Sequence, residues 1–98
     1  MPLSTKQRSH LRSLAHVLKP VVSIGNAGYT EAVAKEIEIA LAHHELIKIK
    51  LGGVEKAAQK SLTEEICQQL GCESVQNIGH IAIVYRKAEK PRIRLPNI

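Results

Sequence analysis

Among its 98 residues the chain has no tryptophan, no phenylalanine and only two tyrosines, Tyr29 and Tyr85. Its core must therefore be built from Leu, Ile, Val and Ala. The same lack argues against any function that stacks flat ligands on an aromatic sheet, as the common four-stranded RNA-recognition sheet does. Aspartate is also missing, and the nine acidic residues are all glutamates. Most of them fall on predicted outer helix faces. No Ser-His-acid or Cys-His order comes with a recognisable nucleophile elbow. The chain thus reads as a binding module rather than an enzyme, with no catalytic residue and no small-molecule substrate.

Cysteine is scarce too. Cys67 and Cys72 are the only two. With His43 and His44 they suggest zinc, but there is no second cysteine pair and no histidine pair at finger spacing. Ordinary thiols in a reducing compartment are the simpler reading, with no metal and no cofactor. No hydrophobic run approaches membrane-spanning length, and Met1-Pro2-Leu3-Ser4 opens without an apolar signal region. The expectation is a cytoplasmic protein away from membranes.

What the chain does have is positive charge at both ends. The net charge is +5. Residues 1–30 carry +4, residues 31–85 carry −3 and residues 86–98 carry +4. Such asymmetry suggests a polyanionic partner, although a basic surface also simply aids solubility. At this length one domain is expected, residues 1–98, ending in a basic extended tail over 87–98.

Periodicity predicts the elements. Ser4 with Gln7 fits a capping box opening a first helix. Leu11, Leu14, Ala15 and Leu18 form its apolar face, and Pro20 ends it. Val21–Ile24 reads as a short buried strand. Thr30 caps a second helix over 31–44, with Val33, Ile37, Ala40, Leu41 and His44 facing inward. Leu46–Leu51 alternates as a strand. Ile47, Ile49 and Leu51 point to a core, while Leu46, Lys48 and Lys50 share a face expected to meet solvent or a ligand. A third helix spans 55–70 on a stripe of Ala58, Leu62, Ile66 and Leu70, with Gly71 as its cap. Val75–Ile78 and Ile81–Arg86 are strands joined by a Gly79-His80 turn. The order α-β-α-β-α-β-β implies an α/β (α+β) two-layer sandwich on a four-stranded mixed sheet.

The segment Gly25-Asn26-Ala27-Gly28 carries the functional signal. It lies between the first strand and a capped helix, which is the context a phosphate-cradling loop requires. It is also what a plain tight strand-to-helix turn looks like. Asn26 and Ala27 are small and neutral, so contact would come from main-chain N–H groups. Glu31 in the first helical turn would repel a phosphate on the helix axis. A ligand backbone running along the loop fits better.

Basic residues flank it. Arg8, Arg12, His16 and Lys19 fall on one predicted helix side, and Lys19 immediately precedes the strand that delivers the loop. That stripe is either a set of phosphate contacts or a solvated face. Lys48 and Lys50 could extend the patch, or serve as ordinary surface lysines. Arg92 and Arg94 resemble a basic arm that follows a phosphate backbone, or a disordered terminus.

Three separated motifs carry a family resemblance. They are Lys19-Pro20-Val21-Val22, Ile24-Gly25-Asn26-Ala27-Gly28 with Thr30, and His43-His44-Glu45-Leu46-Ile47-Lys48. Together they resemble the CRM domain, named for chloroplast RNA splicing and ribosome maturation, in its bacterial single-domain YhbY-like form. The resemblance covers roughly residues 4–95. It implies a fold like the C-terminal domain of translation initiation factor three. It also implies an RNA-contacting G-x-x-G loop, similar to that of KH domains, at Gly25–Gly28. Bacterial members of that family associate with precursors of the large ribosomal subunit. The resemblance therefore implies a monomeric rRNA-binding protein that assists large-subunit maturation. One departure from the KH pattern is that no basic residue lies between the glycines, so flanking cations must contribute more. A protein adaptor on the ribosome and a small nucleotide-phosphate binder are the alternatives.

Overall fold

The computed structural model describes residues 3–96; Met1, Pro2, Asn97 and Ile98 lie outside the described residues. The elements run α1 (Thr5–Ala15), β1 (Val22–Ser23), α2 (Glu31–His44), β2 (Leu46–Lys50), α3 (Lys56–Leu70), β3 (Glu73–Ile78) and β4 (Ile81–Tyr85). The sheet order is β1-β2-β4-β3. β1 and β2, joined through α2, are parallel, while β4 is antiparallel to both β2 and β3. The expected mixed sheet is present.

Alternation along the strands sorts side chains onto two faces. On one face Val22, Ile24, Ile47, Ile49, Ala82 and Val84 meet Ile37 and Leu41 of α2 and Ile66 of α3 in the main core. The other face was expected to be open, and most of it is not. Leu46, Val75, Ile83 and Tyr85 are buried there beneath Leu11 and Ala15 of α1. Ile93 and Leu95 of the tail pack against the same cluster. The sheet with α2 and α3 thus forms the two expected layers, and α1 with the tail adds a cover on the far side. An apolar side chain in an alternating strand has to be buried somewhere, and Leu46 is the residue that required this cover.

α1 starts as predicted. Ser4 accepts from the Gln7 amide and the Gln7 side chain accepts from the Ser4 amide, each at 3.1 Å. It ends at Ala15, earlier than Pro20. The chain must reach the β1 edge, where the Val21 amide donates to Lys48 O at 3.1 Å. After Ala15 the chain turns, with Leu18 N–H donating to Ala15 O at 3.0 Å, and then leaves for that edge. His16 and Lys19 are therefore off the helix, and the four-residue basic stripe does not form as one helix side.

α3 keeps most of its predicted stripe, with Ile66 buried and Leu62 and Leu70 packed against the main core. Ala58 is exposed, and the buried positions are Gln59, Thr63 and Ile66. The polar pair is fully bonded: Gln59 Nε2 donates to Val54 O (3.2 Å), and Thr63 donates to Gln59 O (2.9 Å) while accepting from Asn77 (3.0 Å). His44, expected inside, is exposed.

Candidate nucleic-acid interface

The loop Gly25–Gly28 is built as a tight turn, with Gly28 N–H donating to Gly25 O at 3.0 Å. Gly28 has φ +76°, a conformation that costs an L side chain strain. Gly25 differs. A Cβ there would meet nothing within 4 Å, and its φ is not positive. Its glycine keeps the outer surface of the backbone bare. The N–H groups of Gly25, Asn26 and Ala27 donate to no protein acceptor among the described residues. They remain free for an external acceptor. On the far side of the loop, the Thr30 side chain accepts from the Val33 amide at 3.2 Å and starts α2. Tyr29 packs on the main core and donates to Gln69 at 2.7 Å, pinning the loop to α3.

Gly53 is a site residue that sequence reasoning read only as part of a turn. Its N–H donates to Ile24 O at 3.0 Å. Its Cα lies so close to the loop that only glycine fits. The Gly52-Gly53 turn is thus the floor on which the loop rests. A Gly-Gly pair directly after a basic strand was the available signal.

The two sides of the loop differ in charge. Toward α3 a shallow groove is bordered by Gly28, Gly53, Ser61 and the carboxylates of Glu55 and Glu65. The two glutamates disfavour a phosphate in that groove, while Lys56 and Lys60 stand exposed elsewhere on the same helix. Toward the far sheet face lie Ser23 and Lys50, paired in register, with Val21 and Lys48 next on the same face. Lys50 is exposed and Lys48 half-buried. A Cβ on Gly52 would lie 3.9 Å from Lys50 Cε, so the Lys50 stem runs beside the loop's floor. Lys48 and Lys50 therefore stand closer to the loop than α1 does.

The remaining predicted cations are more dispersed. Lys19 is exposed beside His44, Leu46 and Ile47, at the opposite end of β2 from the loop. Four strand steps place the two about 13 Å apart. Adjacency in sequence did not bring them together. Arg8 is half-buried and hydrogen-bonded to Ser74 O, at the irregularity where the β3–β4 register shifts. It is a brace for α1. Arg12 is exposed in the last turn of α1. Among the described residues the one ion pair is Arg86 with Glu38, which draws the Glu38 carboxyl below its usual range.

Arg92 and Arg94 are exposed on a tail that is docked by Glu45. The Glu45 carboxylate is buried and accepts from three amides: Ala88 (3.0 Å), Arg92 (2.7 Å) and Ile93 (3.1 Å). Burial pushes its pKa up, but those three donors and the Arg92 charge outweigh it and hold the pKa below the ordinary carboxylate value. Gln7 adds a bond to Pro96 O at 3.0 Å. A buried glutamate capping a helix at φ +63° gives no periodic signal in sequence.

Among the described residues no cluster of three or more His, Cys or Glu could hold a metal, and no helix is long and apolar enough to cross a membrane. Cys67 and Cys72 are free thiols.

The model of the CRS1 / YhbY (CRM) domain matches residues 3–86. This chain belongs to the CRM domain family. It is similar to an RNA-binding protein of Haemophilus influenzae, 47% identical over 94 residues, covering 96% of this chain and 95% of that one. A probable RNA-binding protein of Pseudomonas aeruginosa is 44% identical over 98 residues, covering 100% of this chain and 94% of the relative. Among solved structures, the solution structure of a Staphylococcus aureus protein, proposed there to bind RNA, superposes with a TM-score of 0.85 at 36% identity. That match covers 96% of this chain and 99% of the other. The family match stops at Arg86, so the docked tail lies beyond it.

Proposed function

We infer that this CRM domain binds RNA through the bare outer backbone of Gly25–Gly28, with Lys50 and Lys48 as its first cations. The observation that carries this is the asymmetry of the loop. Unpaired amides and a lysine-bearing sheet face lie on one side, and two glutamates lie on the other. Phosphates accept hydrogen bonds from the amides while the lysines neutralise charge. Lys19, Arg12, Arg92 and Arg94 extend the field over a wider surface. Among the described residues no group of three or more His, Cys or Glu could hold a metal ion. The names of the relatives agree with it.

Large-subunit rRNA in pre-ribosomal particles is the RNA the family resemblance implies, with the chain acting as a non-enzymatic, monomeric assembly factor in the cytoplasm. Recognition rests on backbone and shape more than on base edges, because the loop offers mainly main-chain amides and Asn26 is its one side chain able to read a base. The test is co-sedimentation of the full chain with large-subunit precursors, with and without RNase. Loss of association after RNase supports RNA as the partner. Association that survives RNase, together with no binding of purified rRNA fragments, shows a protein adaptor instead.

A further inference from the structure

Where the C-terminal end of α1 meets the β1–β2 edge, the surface holds a groove of about 480 Å³. Its walls are Leu14, Leu18, Val21, Leu46, Ile47 and Ile93. Lys19 and His44 complete the lining, and no carboxylate does. Leu14, Leu18 and Val21 remain 38%, 37% and 50% exposed, so the structure leaves apolar surface uncovered here. One wall, Ile93, is held in place because its amide is bound to the buried carboxylate of Glu45. The groove is thus a formed feature with a fixed side.

We propose that this groove receives an unstacked base of a single-stranded RNA segment whose backbone runs from the Gly25–Gly28 loop; the proposal rests on the RNA-binding reading above. Two observations select a nucleotide. The first is charge. The mouth carries the Lys19 ammonium and the His44 imidazole with no acid among the lining residues, which suits a group that is flat and apolar in its body and anionic beside it. The second is continuity. Val21 lines the groove, and Ser23, two residues along the same extended segment and on the same face, pairs with Lys50 beside the loop. A strand following Ser23, Lys50 and Lys48 from the loop arrives at this opening. The His44 ring supplies a stacking edge and the aliphatic walls supply burial, neither of which distinguishes one base from another. The groove therefore takes any unpaired base, and excludes a continuous duplex whose bases are stacked inside.

The test is methyl and amide NMR on the full chain, titrated with a short oligoadenylate and with an abasic oligoribonucleotide of equal length. The expected result is that both oligonucleotides shift the amides of Gly25–Gly28, while only the oligoadenylate shifts the methyls of Leu14, Leu18, Val21 and Ile93. A Leu18→Ser variant, altered at a partly exposed position, should lose about fivefold in affinity for oligoadenylate and nothing for the abasic chain. Loop amides that move while the groove methyls stay silent overturn this proposal and leave RNA binding intact. Silence of both regions overturns the two together. Methyl shifts with an acidic amphipathic peptide, and none with oligoadenylate, assign the groove to a protein partner and overturn the proposal as well.

Discussion

A methyl group on Gly53 would lie 2.2 Å from the carbonyl carbon and oxygen of Gly25 and 2.8 Å from the Asn26 nitrogen. Those atoms are backbone and cannot swing aside. The glycine with the strictest steric demand at this loop is therefore outside the G-x-x-G motif. Gly53→Ala should push the loop off its floor and destabilise the fold by about 1–3 kcal/mol. Gly25→Ala meets open space and should change stability by less than about 1 kcal/mol. Urea denaturation of both variants checks the pair. If Gly25→Ala also weakens RNA binding, the effect is access to the backbone, because the fold is unaltered.

Gly28→Ala falls between these two. Its φ of +76° strains a side chain although nothing crowds it. We expect a loss of about 1–2 kcal/mol, measured by the same denaturation.

The docked tail should be sensitive to acid through Glu45. Its folded pKa lies below the ordinary 4.5. A lowered carboxyl pKa gives stability that is fully present above the ordinary value and is lost as pH falls through the folded one. Protection of the Ala88, Arg92 and Ile93 amides, taken as exchange relative to a free amide at the same pH, should therefore hold from neutral pH down to 4.5 and fall only below it. Glu38 is depressed in the same range through Arg86, so global stability alone does not report on the tail. Glu45→Gln should weaken the latch at neutral pH, most at Ala88, because one acceptor oxygen becomes a donor while the other can keep the Arg92 and Ile93 amides.

Salt dependence separates the cations. Lys50 is exposed beside the loop, whereas Arg8 is committed to Ser74 O. Lys50→Ala should reduce the slope of log affinity against log salt by about 0.7 for a single-stranded RNA. Arg8→Ala should leave that slope unchanged and cost stability instead, by roughly 1–2 kcal/mol for the lost charged hydrogen bond. Fluorescence anisotropy across a salt series reads the first effect and thermal unfolding the second.

Much of this molecule was legible in the sequence because local chemistry agrees with the fold. The Ser4 capping box, the Thr30 cap, the clean alternation of Leu46–Lys50 and the Gly79-His80 turn each specify their element without outside help. The misplaced features depend on tertiary contact. α1 stops early because its chain has to cross to β1. Gln59 and Thr63 are buried because Asn77 and Val54 O lie opposite them. Neither partner can be inferred from helical spacing. At the site, the loop itself could be found and the Gly52-Gly53 pair was visible as a turn, but its role as the loop's floor and the charge asymmetry were not. Both depend on which residues of α3 and β2 the fold brings to each side. The latch at Glu45 is the extreme case, since a lone glutamate after a His pair shows nothing of the tail more than forty residues later.

The most direct measurement is amide chemical-shift mapping of the full chain with a fragment of large-subunit rRNA. The account predicts that Ser23, Gly25, Asn26, Ala27, Gly28 and Lys50 respond, while Glu55, Ser61 and Glu65 on the acidic side stay still. Binding that moves the acidic side, or any other surface, and leaves Gly25–Gly28 and Lys50 unchanged would contradict it.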